Sequence, residues 1–393
     1  MSSPDPRARR VVVFVFLTVF LDLLGFGIVL PLLPLYVRSL GGSAETVGLL
    51  FACFSVTQLL ASPVLGRLSD RHGRRRVILL SLAGNAAAMA LFALATRAGL
   101  LWLLFASRVL AGATAGNLAA CQAAVADVTE GESRATAMGR LGAGIGLGMV
   151  LGPVLGSTVS RAGAWAPPLA AAALAAADLV GAYFLMPETR AARSPEAEAA
   201  PKPPLASLFA EPRIATVFAL YFATFLYLTN MQVAFALLAG ARLGWGAEQV
   251  GHLFGLFGAV SFVVQAALIG RLTRAWGSLP LAVAGSLTSA FGLAAIALAH
   301  RPAPLVGGLA LLALGLGVVN PSLSTLATEY AGRERQGAVL GVAQSSGGLA
   351  RTVGPVLGGA LFARVAQGAP FVAGAASALV AAALALSLRR RAR

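Results

Sequence analysis

This chain has very little charge. Asp, Glu, Lys and Arg make up 11% of its 393 residues, against roughly 25% in a soluble domain. A solvated surface of this size is therefore excluded. Acids are scarcest, 15 against 30 basic residues. The three histidines, His72, His252 and His300, lie too far apart in sequence to form a metal cluster. The two cysteines, Cys53 and Cys121, both fall inside apolar runs, so no disulfide framework or metal site is indicated. No nucleophile–base pair stands out. The sequence thus offers no metal, no cofactor and no enzyme chemistry.

Apolar residues dominate, at 58% of the chain. They gather in twelve runs, each about the 20 residues needed to cross a bilayer core. The reading is an all-α polytopic membrane protein with 12 transmembrane helices. The first run, 11–37, is too long for the apolar region of a signal peptide and lacks a small-x-small cleavage site. It is read as the first span.

Charge placement orients the spans. With both termini cytoplasmic, 22 of the 30 Lys and Arg fall in inside segments, six outside and two within the membrane, Arg108 and Arg351. That asymmetry follows the positive-inside rule. The net charge of +15 does not indicate a nucleic-acid partner, because the arginines lie between apolar runs rather than on one basic face.

One long polar stretch, 191–212, mixes Pro, Ala and charge and reads as a cytoplasmic linker. Six spans lie on each side, giving two six-helix bundles over 1–190 and 213–393. The halves repeat: "GRLSDRHG" from Gly66 returns as "GRLTRAWG" from Gly270, and "GPVLGS" from Gly152 as "GPVLGG" from Gly354. The offsets, 204 and 202 residues, nearly agree. Asp127 corresponds in the same way to Glu329. Such repeats underlie many secondary transporters, which rock two halves about a midplane site.

The stretch "GRLSDRHGRRR", residues 66–76, concentrates six charges in one inside turn. Gly66 and Gly73 are expected to bracket that turn. Asp70 can meet a helix N-terminus, and Arg74 can reach Asp127 at another inner helix end. Residues 66–75 resemble the loop 2–3 signature of the major facilitator superfamily. By that resemblance Asp70, Arg71 and Arg74 form a conformational latch, with Asp70 facing the start of span 11 and Arg74 paired with Asp127. The second copy has Arg274 where the first has Asp70, which implies a stronger latch on one side.

Within the membrane, a charge is costly and usually functional and paired. "LFASRVLAGATAG" in span 4 carries Arg108, Gly112 and Gly116 and resembles a second signature of the same superfamily. Only two carboxylates lie well inside spans, Asp22 and Asp178. Counted at 1.5 Å per residue, Asp22 is about 16 Å deep from the inside and Arg108 about 12 Å deep from the outside. Both are near midplane, so Asp22 and Arg108 are the favoured pair. Asp178, nearer an inner end, is read as snorkelling or capping. Span 1, "FLDLLGFGIVLPLLPLY", resembles the first span of the twelve-span drug:proton antiporters, particularly the tetracycline-efflux branch, in which a span 1 acid commonly serves proton coupling.

Span 5 follows Gly-x8-Gly-x3-Gly-Pro-x2-Gly-small at Gly139, Gly148, Gly152, Pro153, Gly156 and Ser157. Its physical use is close helix packing on a small-residue ridge, with a kink at Pro153. It resembles the antiporter signature of the superfamily, which implies export. In the second half, Arg351 bonds backbone carbonyls or contacts an anionic or carbonyl-bearing substrate. Asn230, Gln232, Gln265, Asn320 and Gln344 are candidates to line a substrate cavity.

The expected function is a monomeric exporter of small amphipathic compounds in a bacterial inner membrane, driven by proton antiport. A carboxyl in a low-dielectric cavity favours its neutral form, so proton and substrate compete at Asp22. The alternative is a dedicated metabolite or lipid transporter of the same fold, without proton coupling. Spans 3 and 9 lack the acids that the tetracycline-efflux branch carries, so tetracycline itself is not implied.

Overall fold

The computed structural model describes residues 6–190 and 205–390. Most of the expected linker, 191–204, lies outside these. Among the described residues every regular element is a helix. Eleven helices among the described residues are long and apolar enough to cross a membrane, from Ala8–Ser39 through Ala369–Arg389. The remaining expected span, 336–362, lies in the second part of the helix Pro302–Arg364. Arg351, three consecutive polar residues from Gln344 and a series of glycines dilute its apolarity. Gly332, at φ +66° and ψ 160°, breaks that helix where the sequence separates spans 10 and 11.

Contacts group the chain into two compact units that interleave in sequence. The first comprises Met1–Leu40, Val56–Pro195 and Ala247–Gly255; the second comprises Gly41–Ser55, Glu196–Gly246 and Leu256–Arg393. Small residues explain both short exchanges. A side chain at Gly48 would strike the Pro355 carbonyl, and one at Gly255 would meet Val154.

In the first unit, spans 1, 3, 4, 5 and 6 close a core around Val15, Val77, Cys121, Leu141 and Ala182, all nearly or fully buried. In the second, Val217, Tyr221, Leu323, Val339 and Ala385 form the corresponding core. The repeat is structural as well as sequential. Gly73 (φ +101°) joins span 2, Ala44–His72, to span 3, Arg74–Ala98, and Gly277 (φ +79°) joins Ala247–Trp276 to Ser278–Leu298. Only glycine adopts this backbone without strain. Gly66 does not bracket the turn: the helix runs through it to His72, and the connection is Gly73 alone.

The span 5 ridge also resolves into contacts. A Cβ at Gly152 would stand 2.7 Å from Gly27 Cα, and one at Gly148 2.8 Å from Leu24 N. Gly156 abuts the Ile28 carbonyl. Three of the motif's glycines thus let span 5 lie against the backbone of span 1. Gly139 faces open space, with no atom within 4 Å of such a Cβ, so it takes no part in that packing.

Candidate functional site

Span 4 is interrupted. It forms Leu101–Ala113 and Asn117–Val128, with Thr114–Gly116 between them in turn conformation. Close packing accompanies the break: Gly116 lies against Leu65 and Ser81, and Thr114 fills the space beside Gly84. Irregular backbone at membrane depth is tolerated where protein or an aqueous cavity surrounds it, and half-helix ends there commonly face ligands or ions.

The second half-helix begins at Asn117, whose side chain turns toward Asp22 on span 1. Its Nδ2 is buried and has no hydrogen-bond partner in this geometry. Its Oδ1 accepts from Cys121 Sγ at 3.4 Å. From span 3, Asn85 Nδ2 donates to Asp22 Oδ1 at 2.9 Å. Asp22 is half-buried. Two amides and the N-terminal end of a half-helix, the end that favours negative charge, therefore surround this carboxyl.

The expected Asp22–Arg108 pair is absent. Arg108 is 5% exposed and makes no ion pair among the described residues. Its Nε reaches Ser107 Oγ at 3.4 Å and its Nη2 Met89 Sδ at 3.7 Å. The guanidinium lies 4.8 Å over the Phe92 ring, whose edge meets Tyr36. A central arginine costs about 2.5–3.5 kcal/mol to insert. A desolvated cation–π contact returns about 2 kcal/mol, so the stack offsets most of the cost without a counter-ion. Depth placed both residues near midplane but carried no information on helix rotation, which decides whether they meet.

Asp178 departs from expectation as well. It does not snorkel: it is 4% exposed, and its Oδ1 accepts from Thr18 Oγ1 at 2.9 Å. Its Oδ2 is buried without a partner. Thr18 stands one helical turn before Asp22 on span 1, so both membrane carboxyls belong to one polar cluster, together with Asn85, Asn117 and Cys121.

Where span 2 meets span 3 in the same unit, the arginine turn is organised around Arg74, which is 5% exposed. It pairs with Asp70 at 2.6 Å and with Asp127 at 3.0 Å, and donates to Ser69 Oγ at 3.1 Å. Arg71 contributes its carbonyl, which accepts from Arg190 Nη1 at 2.8 Å. Sequence reading missed the anchor of this turn, Glu188. Its Oε1 accepts the backbone N–H of Arg74, Thr189 and Arg190 at 2.9–3.0 Å. A Cβ on Gly73 would collide with the Glu188 carboxyl. A glutamate just after a span, preceded by Pro187, was the available signal. The second copy is simpler: Ser278 Oγ donates to Glu329 Oε2 at 3.0 Å.

In the second unit, Asn230 is 1% exposed and donates to the Pro370 carbonyl at 3.1 Å, so it joins helices rather than lining a cavity. Gln232 and Asn320 are half-buried, while Gln265 and Gln344 are exposed. Gln265 lies in a π-helical stretch, Val264–Leu268. Arg351, half-buried, repeats the arrangement of Arg108: it lies 4.8 Å over Phe225 and makes no ion pair among the described residues. Among the described residues no cluster of His, Cys, Asp and Glu can hold a metal ion.

Comparison with known proteins is consistent across the chain. The family model described as Major Facilitator Superfamily matches residues 15–237 and 217–393. A class C tetracycline resistance protein of Escherichia coli is 34% identical over 388 residues, covering 95% of this chain and 96% of that protein. Multidrug resistance protein 2 of Bacillus subtilis is 27% identical, covering 92% and 91% respectively. Among solved structures, the human organic anion transporter MFSD10 (TETRAN) is similar at 28% identity and a TM-score of 0.71, over 97% of this chain and all of that one.

Proposed function

The chain belongs to the Major Facilitator Superfamily, and from that premise we propose that it is a proton-driven exporter of small amphipathic compounds. Its relatives include tetracycline and multidrug resistance proteins. The observation that carries the coupling is Asp22: a membrane carboxyl beside the break in span 4, held by Asn85 and free of any arginine partner. Without a cation to fix its charge, it can exchange a proton as the substrate site opens to one side and then the other. The reading takes both termini as cytoplasmic.

The substrate class follows from the arginines. Arg108 and Arg351 each carry a guanidinium stacked on a phenylalanine and, among the described residues, unpaired with a carboxylate. Such groups receive an anionic or carbonyl-bearing end of an amphipathic molecule better than a dication. The similarity to a human organic anion transporter supports the same direction.

The test is expression in an efflux-deficient bacterium. The wild type lowers accumulation of amphipathic anions and neutral drugs, and a protonophore abolishes the effect. Asp22→Asn abolishes it as well. Accumulation lowered equally by Asp22→Asn would remove Asp22 as the coupling site.

A further inference from the structure

The arginine turn does more than pair Arg74 with Asp70 and Asp127. Behind Arg74, a second group of side chains lines an open cavity of about 390 Å³: Arg71, His72, Arg75, Arg76, Glu188 and Arg190. The one acid there is already engaged, since Glu188 Oε1 accepts three backbone N–H groups. Two of the guanidinium groups are held in advance, those of Arg75 and Arg190. Arg75 Nη2 donates to the Tyr183 carbonyl at 2.5 Å and its guanidinium lies over the Tyr183 ring. Arg190 is fixed on the Arg71 carbonyl. Arg75 Nε is buried and has no hydrogen-bond partner. Four arginines thus converge on a space that contains no free anionic group.

The surroundings narrow the ligand. The cavity sits where span 3 begins and span 6 ends, at a membrane boundary. The last turn of span 6 carries Tyr183, Phe184 and Leu185, which are 59%, 76% and 59% exposed. A free anion has no use for that apolar ledge. A phospholipid uses both parts, with its phosphate in the arginine cavity and an acyl chain along the ledge.

We propose that this cavity binds the phosphate of an anionic phospholipid from the leaflet on which the arginines gather. Guanidinium groups recognise phosphate oxygens through paired, charge-assisted hydrogen bonds. Basic pockets between membrane helices are suited to anionic head groups. The bound lipid bridges the start of span 3 and the end of span 6, the two elements that Glu188 already joins, and so stabilises the turn that carries Arg74. This assignment rests on the membrane fold and is independent of proton coupling.

The test uses the purified full chain in detergent. Binding is read as thermal stabilisation on titration with phosphatidylglycerol, with phosphatidylcholine in the same micelles, and with inorganic phosphate alone. Phosphatidylglycerol is expected to stabilise the protein and phosphatidylcholine to have little effect. The double variant Arg76→Gln/Arg190→Gln weakens phosphatidylglycerol binding about tenfold or more, since each arginine near a membrane surface contributes severalfold to anionic lipid affinity. Arg67→Gln, in the same basic stretch but outside the cavity, leaves it unchanged. Phe184→Ser, on the exposed ledge, weakens the lipid and not the phosphate, and it keeps the proposal testable should the double variant fail to fold. Equal stabilisation by both lipids, equal loss in Arg67→Gln, or a full effect from phosphate alone would each overturn the assignment.

Discussion

Asp22 and Arg108 share one unit yet have different neighbours. Asp22 is held by the Asn85 amide and Arg108 by a ring and a thioether. Asn85→Leu removes the direct hydrogen bond to Asp22. One neutral bond is worth about 1 kcal/mol, so export should fall about fivefold while membrane insertion is kept; drug accumulation in cells measures it. Asp178 calls for a different pair of variants. Asp178→Asn keeps an acceptor for Thr18 and should leave thermal stability nearly unchanged. Thr18→Val leaves a buried carboxyl without its partner, which costs about 1–3 kcal/mol and should lower the unfolding temperature of the purified protein. The sequence identified these two acids and Arg108 as rare charges at membrane depth. It could not pair them, because pairing depends on how each helix is rotated, and an all-round apolar helix carries no pattern that fixes its rotation.

At the scale of elements, spacing was more informative than composition. The Gly148, Gly152 and Gly156 ridge announced a close crossing, and the structure supplies the partner, the backbone of span 1 from Leu23 to Ile28. Gly152→Leu should therefore prevent stable folding, whereas Gly139→Ala, in open space, should fold and export as the wild type does; yields of monodisperse protein after solubilisation separate the two. The turn at Gly73 gives a third contrast. Gly73→Ala meets both a positive φ with extended ψ, which costs about 1–3 kcal/mol, and the Glu188 carboxyl. It should destabilise more than Gly66→Ala, which meets nothing within 4 Å. The break in span 4 was the element least visible in advance. Gly112 and Gly116 marked it, but glycine is so common here, 45 residues in all, that two more carried little weight.

For the molecule as a whole, apolar run lengths and the distribution of arginine made the membrane fold readable. The near-constant offset between repeats made its duplication readable too, and the glycine turns at Gly73 and Gly277 bear that duplication out in three dimensions. Interleaving of the contact units was not readable, since it depends on small residues such as Gly48 and Gly255 meeting distant backbone and side chains. Orientation is open to direct test: a single cysteine introduced at Arg76 in a cysteine-free background should react with an impermeant thiol reagent in everted vesicles and not in intact cells. Competition between substrate and proton at Asp22 is measured by titrating the purified protein with amphipathic anions and neutral drugs in weakly buffered detergent. Binding should release protons into the medium, and Asp22→Asn should bind without release. Equal release from the wild type and Asp22→Asn, or binding to the wild type with no release at all, would contradict it.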